Sequence, residues 1–165
     1  MVELRGNVET RLSRALEGPL DAVVLAEAGL RRLGLDRHIT ERLTPPRFLP
    51  AVGQGALGIE CRADDTLTRS LVAVLDDAPT HRAVRAERGL LDALEGGCVV
   101  PLGAWARVVP AGLILEAAVL DPSGRERVSA ILESGDEPEQ VGRLVAEMLR
   151  QQGAERLLRG SSSSG

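Results

Sequence analysis

Apolar positions recur with a helical period over the first residues of the chain. Val8, Leu12, Ala15 and Leu16 lie on one face behind Asn7, a good N-cap, and Gly18-Pro19 stops the run, which predicts a helix. Asp21 to Ala26 then carries a short continuous apolar stretch of the kind buried in a parallel sheet. Ala28 to Leu33 reads as a second helix closed at Gly34. Helix alternating with strand predicts an α/β layer structure. Residues 44–55 hold Pro45, Pro46, Pro50, Gly53 and Gly55, which neither regular element tolerates for long, so this stretch is read as a hinge or crossover. Ala56 to Cys61 is the next expected strand. Asp64 or Asp65 then caps a helix that places Leu67, Leu71, Val74 and Leu75 on one face.

From residue 77 the pattern changes. Asp77 and Pro79 open a helix to Leu94 or Glu95, with Val84, Leu90, Leu91 and Leu94 inward and Gly96-Gly97 as its stop. Three strands follow at about 102–109, 112–121 and 125–132. Pro110-Ala111-Gly112 and Asp121-Pro122-Ser123-Gly124 between them are hairpin-like turns, so the strands should be antiparallel. A last helix is expected from Asp136 as cap, with Pro138 in its first turn, Val141, Leu144, Val145, Met148 and Leu149 on its apolar face, and Gly153 as its end. The Ser161–Ser164 tail is of low complexity and reads as disordered.

Composition removes several chemistries. All 20 residues counted as Lys plus Arg are Arg, and Tyr is absent, so no Schiff-base or P-loop lysine and no tyrosine acid or base is available. Phe48 and Trp105 are the only aromatic residues, too few for a base-stacking platform. Net charge is −4, with nine Arg against eight acids over residues 1–62 and eleven against sixteen thereafter. The front of the chain is therefore the better place for an anion, while the interleaving of charges argues against nucleic acid. No apolar run reaches membrane-spanning length and the N-terminus lacks a signal-peptide layout, which makes a cytoplasmic address the default expectation. Cys61 and Cys98 are too few for a disulfide framework and have no metal-type spacing, though a disulfide between them stays open.

Two sets of residues are candidates for chemistry. Gly96-Gly97-Cys98-Val99-Val100-Pro101 places a thiol on a glycine loop between helix and sheet, where a bulky group can approach the backbone. Its other reading is a helix C-cap followed by a small buried residue, and the negative end of the helix dipole disfavours a thiolate there, so attachment of a covalent group suits it better than nucleophilic catalysis. Cys61, inside an expected strand, reads as core. The second set is Arg5, Arg11, Arg31 and Arg32. Arg5 precedes the helix capped by Asn7, so a guanidinium and free backbone N–H groups can converge on one anion, and guanidinium suits carboxylate in a bidentate manner. A solvated helix face is the alternative reading of each. Gly53-Gln54-Gly55 is no dinucleotide fingerprint and fits a hinge. His38 and His81 lie in polar surroundings with no ligand at metal spacing, and Asp64-Asp65 reads as a cap.

Three stretches together go beyond local pattern: Arg5-Gly6-Asn7-Val8 with Thr10-Arg11-Leu12, Leu49 to Ala56 with Gly58 to Arg62, and Leu94-Glu95-Gly96-Gly97-Cys98 with Pro101. With Ala28-Gly29-Leu30 and Arg32-Leu33-Gly34 between them, their order and spacing resemble hydroxymethylbilane synthase, the porphobilinogen deaminase family. The likeness is close over residues 3–109 and a matter of pattern beyond. It implies a transferase of haem and porphyrin biosynthesis that joins four porphobilinogen molecules, through linear polypyrrole intermediates, into hydroxymethylbilane with release of ammonia. It also implies a dipyrromethane cofactor held by a thioether to Cys98, and substrate carboxylates held by Arg5, Arg11 and Arg32, with Arg31 a less certain contact. A tether of that kind makes each condensation effectively intramolecular.

The resemblance extends to the C-terminal half of that family only. It implies an α/β fold with an α+β third domain: residues 1–49 as the rear of a periplasmic-binding-protein-like substrate domain, 50–76 as hinge plus strand and helix returning to the first domain, 77–160 as the cofactor-bearing domain, and 161–165 as tail. No residue here matches the family's catalytic aspartate and no metal is implied. The chain is thus expected to be inactive alone, to need the N-terminal half, and to belong to a monomeric complete enzyme. A non-catalytic anion-binding module and a degenerate remnant are the competing readings, and unpartnered half-sheets are expected to lower solubility.

Overall fold

The computed structural model describes residues 2–94, 101–121 and 123–161. The chain divides into two compact units, Met1–Leu43 and Thr44–Gly165.

The first unit is built on two short helices, α1 (Val8–Leu16) and α2 (Glu27–Arg32). Asn7 caps α1 as its side chain suggests: Oδ1 accepts the Thr10 N–H at 2.7 Å. Leu12 and Leu30 are the buried side chains. The helices approach closely because α2 carries Gly29, where a Cβ would stand 3.3 Å from Val8 Cγ2. A single 3₁₀ turn, Asp36–His38, follows. The expected strand at Asp21–Ala26 does not form, and Val24 is 70% exposed. A strand is stable only as a member of a ladder, and among the described residues no second strand of this unit pairs with it.

The second unit holds the core. After a helix α3 (Thr66–Val72), capped by Asp65 through the Thr68 N–H at 2.9 Å, come α4 (Ala78–Ala93), strands β1 (Leu102–Val109), β2 (Gly112–Leu120) and β3 (Arg127–Ser134), then α5 (Pro138–Gln151) and α6 (Ala154–Ser161). The sheet has order β1-β2-β3 and is antiparallel throughout, as the turn sequences indicate. Register pairs Leu115 with Ala106 and with Leu132, so Ala104, Ala106, Leu113, Leu115, Ala117 and Val119 form one buried face against α4 and α5. From the helices, Ala86, Leu90, Val141, Val145 and Leu149 close the core. The tight first hairpin requires Gly112: its φ is +142° and a Cβ there would lie 2.2 Å from the Ser134 carbonyl oxygen.

Several boundaries differ from the sequence reading. β3 starts at Arg127 instead of residue 125 because Asp121 organises the turn, its Oδ1 accepting the Glu126 N–H at 2.7 Å and its own N–H reaching the Glu126 carbonyl at 3.0 Å. Glu137, not Asp136, occupies the N-cap position of α5, since Asp136 instead accepts the Ser134 hydroxyl at 2.7 Å. Helix α6 follows Gly153 where the sequence reading placed only a stop. Ala56–Cys61 joins no ladder, leaving Leu57 96% exposed and Cys61 exposed, so Cys61 is not core. The helix expected after Asp65 ends at Val72 and passes into a 3₁₀ turn, Ala73–Leu75, so Val74 and Leu75 leave its face, and Leu67, Leu71, Val74 and Leu75 are all uncovered. The expected disorder of the tail falls on residues 162–164, outside the described residues, apart from Ser161, which ends α6.

Candidate functional site

Three arginines of the first unit lie close in sequence to one helix contact. Val8 on α1 meets Gly29 on α2; Arg5 lies three residues before Val8, Arg11 three after it, and Arg32 three after Gly29. Helical spacing thus places Arg11 and Arg32 each one turn along from that contact. Their surroundings differ. Arg5 is largely exposed and its Nε donates to Glu3 at 2.9 Å. Arg31 is drawn to Glu27 at 2.6 Å in an i,i+4 pair, and Arg42 donates to the same carboxylate at 2.9 Å. The two guanidiniums, the Arg42 hydrogen bond foremost, hold the Glu27 carboxyl below its ordinary range. Arg31 is therefore paired locally, sharing Glu27 with Arg42, whereas Arg32 is exposed at the end of α2.

Arg11 is the unusual member. It is half-buried, and its Nε is enclosed with no hydrogen-bond partner. A buried guanidinium N–H left unsatisfied costs free energy, about 1–3 kcal/mol for a typical group and more for a charged one. A carboxylate is the group that would satisfy it in the planar geometry arginine favours. The arrangement fits an acidic ligand.

In the second unit, Cys98 lies outside the described residues, as does all of Glu95–Val100. Before that segment, α4 is capped by Asp77, which accepts the Thr80 N–H at 3.0 Å, and Arg150 of α5 donates to the Ala93 carbonyl at the far end. Leu94 is buried in the core. After it, Pro101 lines a cleft of about 430 Å³ together with Phe48, Leu49, Gly103, Ala118 and Leu120, with Arg47 and Arg127 also in the lining.

The sequence reading missed Glu87. This α4 side chain is 6% exposed, and its carboxylate accepts the Gly53 N–H at 2.7 Å and the Ala106 N–H at 2.8 Å. Burial pushes its pKa up, while the two amide bonds pull it down. The Gly53-Gln54-Gly55 stretch is consequently anchored at Gly53. An acid on the inward side of an amphipathic helix, three residues after Val84, was the available signal. Arg107 was missed as well: its guanidinium lies over the Trp105 ring, 4.2 Å from the centroid, and its Nη1 is enclosed without a partner.

The weaker candidates resolve simply. His81 Nδ1 is 3.0 Å from Asp76 on the surface, and His38 Nε2 accepts from Arg37 at 3.2 Å. No group of three or more metal-binding side chains occurs among the described residues, and no described helix is long and apolar enough to cross a membrane.

Comparison with known proteins adds the context. A family described as porphobilinogen deaminase, dipyromethane cofactor binding domain, matches residues 1–70, and one described as porphobilinogen deaminase, C-terminal domain, matches residues 81–151. Curated relatives named porphobilinogen deaminase include one from Desulforudis audaxviator, 51% identical over 160 residues, and one from Syntrophobacter fumaroxidans, 47% identical over 159; each match covers 96% of this chain and 52% of the relative. A third, from Gloeobacter violaceus, is 49% identical over 158 residues, covering 94% of this chain and 48% of the relative. The chain spans about half the length of the curated relatives it matches.

Proposed function

Because the chain belongs to the porphobilinogen deaminase family, we propose that it supplies the cofactor-bearing and carboxylate-binding half of a hydroxymethylbilane synthase. In this reading the first unit binds carboxylates of porphobilinogen and of the growing polypyrrole through Arg5, Arg11 and Arg32. The second unit carries dipyrromethane as a thioether on Cys98. When bound, that group supplies the end onto which successive rings are added.

The observation that carries the reading is the enclosed, unpartnered Nε of Arg11 beside the closely packed Val8–Gly29 contact. Each added ring brings further carboxylates, so fixed guanidinium forks offer both charge and geometry at a recurring position. Arg5 and Arg32, being exposed, are free to reorient toward such groups. A locally positive surface of this kind operates within a protein of net charge −4. Support for the complementary half comes from the uncovered side chains Leu57, Ile59, Leu67, Leu71, Val74 and Leu75 of the second unit. We place the family's N-terminal half there, supplying the catalytic aspartate and completing the periplasmic-binding-protein-like lobe, with domain limits at 49/50 and 76/77. The completed protein is a soluble, cytoplasmic monomer in this reading.

The test is porphobilinogen consumption by the chain alone and by the chain combined with the N-terminal half of a relative. No turnover alone and turnover on combination is the expected result. Turnover by the chain alone, or none in a combination that forms a stable complex, would overturn the proposal.

A further inference from the structure

Strand β1 is an edge strand, and edge strands expose a row of backbone groups that must find partners. Two successive same-side amides of β1 are met by different elements. Ala104 N–H donates to the Pro50 carbonyl at 2.8 Å, as a neighbouring strand would arrange. At Ala106 the next acceptor is not backbone at all: it is Glu87 Oε1, at 2.8 Å. The other oxygen of the same carboxylate takes the Gly53 N–H at 2.7 Å. Glu87 thus stands in for a ladder carbonyl and at the same time holds the incoming segment.

Packing reinforces the attachment. A Cβ on Gly103 would lie 2.8 Å from Leu49 Cβ, and Val52 packs on the core cluster. Beyond Gly53 the chain turns sharply, with φ of +69° at Gly53 and +85° at Gly55 and open space around both. This turn presents Gln54 on the surface. Among the described residues Glu87 is the one buried charged side chain, and a buried charge is retained at a cost unless its bonds do something specific.

We infer that Glu87 is a positioning residue that fixes the Gly53-Gln54-Gly55 turn to α4 and β1, the two elements that lead into and out of the Cys98 segment. The consequence for catalysis rests on the function proposed above, because only a Cys98-bound group makes the placement of that turn relevant to the reaction. The attachment itself is independent of it.

The experiment is native-state amide exchange by NMR on the full chain. In the unsubstituted chain the Gly53 amide is expected to be protected together with Ala106, opening only with the domain. In Glu87→Gln, Gly53 protection should fall about tenfold or more, the loss that follows removal of a charged acceptor, while amides of Leu115 and Val145 stay within about twofold. A simple loss of stability would instead lower the protection of Leu115 and Val145 together with that of Gly53. Unprotected Gly53 in the unsubstituted chain would overturn the inference, even if the variant fails to fold. So would unchanged Gly53 protection in a folded variant. Failure of Cys98 to carry dipyrromethane would instead count against the proposed function and leave the exchange result standing.

Discussion

The packing of α4 against α5 depends on two glycines, and replacing one of them gives a prediction whose size follows from the geometry. A Cβ on Gly142 would lie 2.5 Å from both the Ala86 carbonyl oxygen and the Leu90 nitrogen, and 2.7 Å from the Gly89 carbonyl carbon. All three are backbone atoms of α4, so no side chain can swing aside. Comfortable contact between carbons is about 3.5–4.0 Å, which means that Gly142→Ala must part the helices by about 1 Å. A gap of about that width forfeits a quarter to a half of each affected contact, and overpacking a close core typically costs about 1–3 kcal/mol. Alanine returns about 1 kcal/mol through helix propensity. With the clash at the upper end of its range, the net loss is about 2 kcal/mol, or a Tm lower by roughly 4–8 °C in a chain of this length. Thermal melting of the full chain followed by circular dichroism measures it. Gly153→Ala is the control: its φ of +91° is strained for alanine, yet nothing lies within 4 Å, so its loss should be near 1 kcal/mol. A Gly142→Ala melting temperature at or above that of the unsubstituted chain would refute the packing argument.

Other predictions follow from single residues. Leu115→Ala, at the centre of the sheet's buried face, should cost about 2–5 kcal/mol in denaturant unfolding. Asp121, held at a pKa of about 2 chiefly by the Glu126 amide and then the Ser123 hydroxyl, gives the β2–β3 turn stability that is complete above its ordinary value of 3.8 and lost as pH falls toward 2. Its carboxyl and the Glu126 amide should therefore titrate together by NMR in that window, and Asp121→Asn should abolish the step. Glu87, with its pKa raised by burial, has the opposite sign: its contribution is full below 4.5 and declines as pH rises through its folded value, so the slope of stability against pH should change in Glu87→Gln. Arg11→Ala should leave the melting temperature of the chain unchanged or slightly higher, since it removes an unsatisfied group, while weakening binding of a pyrrole dicarboxylate by tenfold or more, about 1.5–3 kcal/mol.

What the sequence made legible was local. The helices α1, α3 and α4 announce themselves through Asn7, Asp65 and Asp77, whose side chains do bond the amides three residues on. The antiparallel sheet was legible because each connection is short and one of them contains Gly112, the residue its backbone requires. Strand formation at 21–26 and 56–61 was not, because the apolar runs there carry the right composition and pairing depends on partners elsewhere in a sheet. The exposure of Cys61 follows from the same cause. Glu87 escaped notice because its partners are backbone amides 34 residues before it and 19 after it, which no periodicity reveals. Among the arginines, sequence placed Arg5, Arg11 and Arg32 in one region, but only the structure separates Arg31, paired with Glu27, from Arg11, whose Nε has no partner.

The central claim is that Cys98 carries the cofactor on which the polypyrrole is built. The most direct measurement is the intact mass of the chain produced together with the N-terminal half of a relative, followed by peptide mapping of the Glu95–Pro101 region. The account predicts a mass increase corresponding to one dipyrromethane, located on Cys98 and absent from Cys61 and from Cys98→Ser. An unmodified Cys98 in a complex that converts porphobilinogen, or the adduct on Cys61, would contradict it.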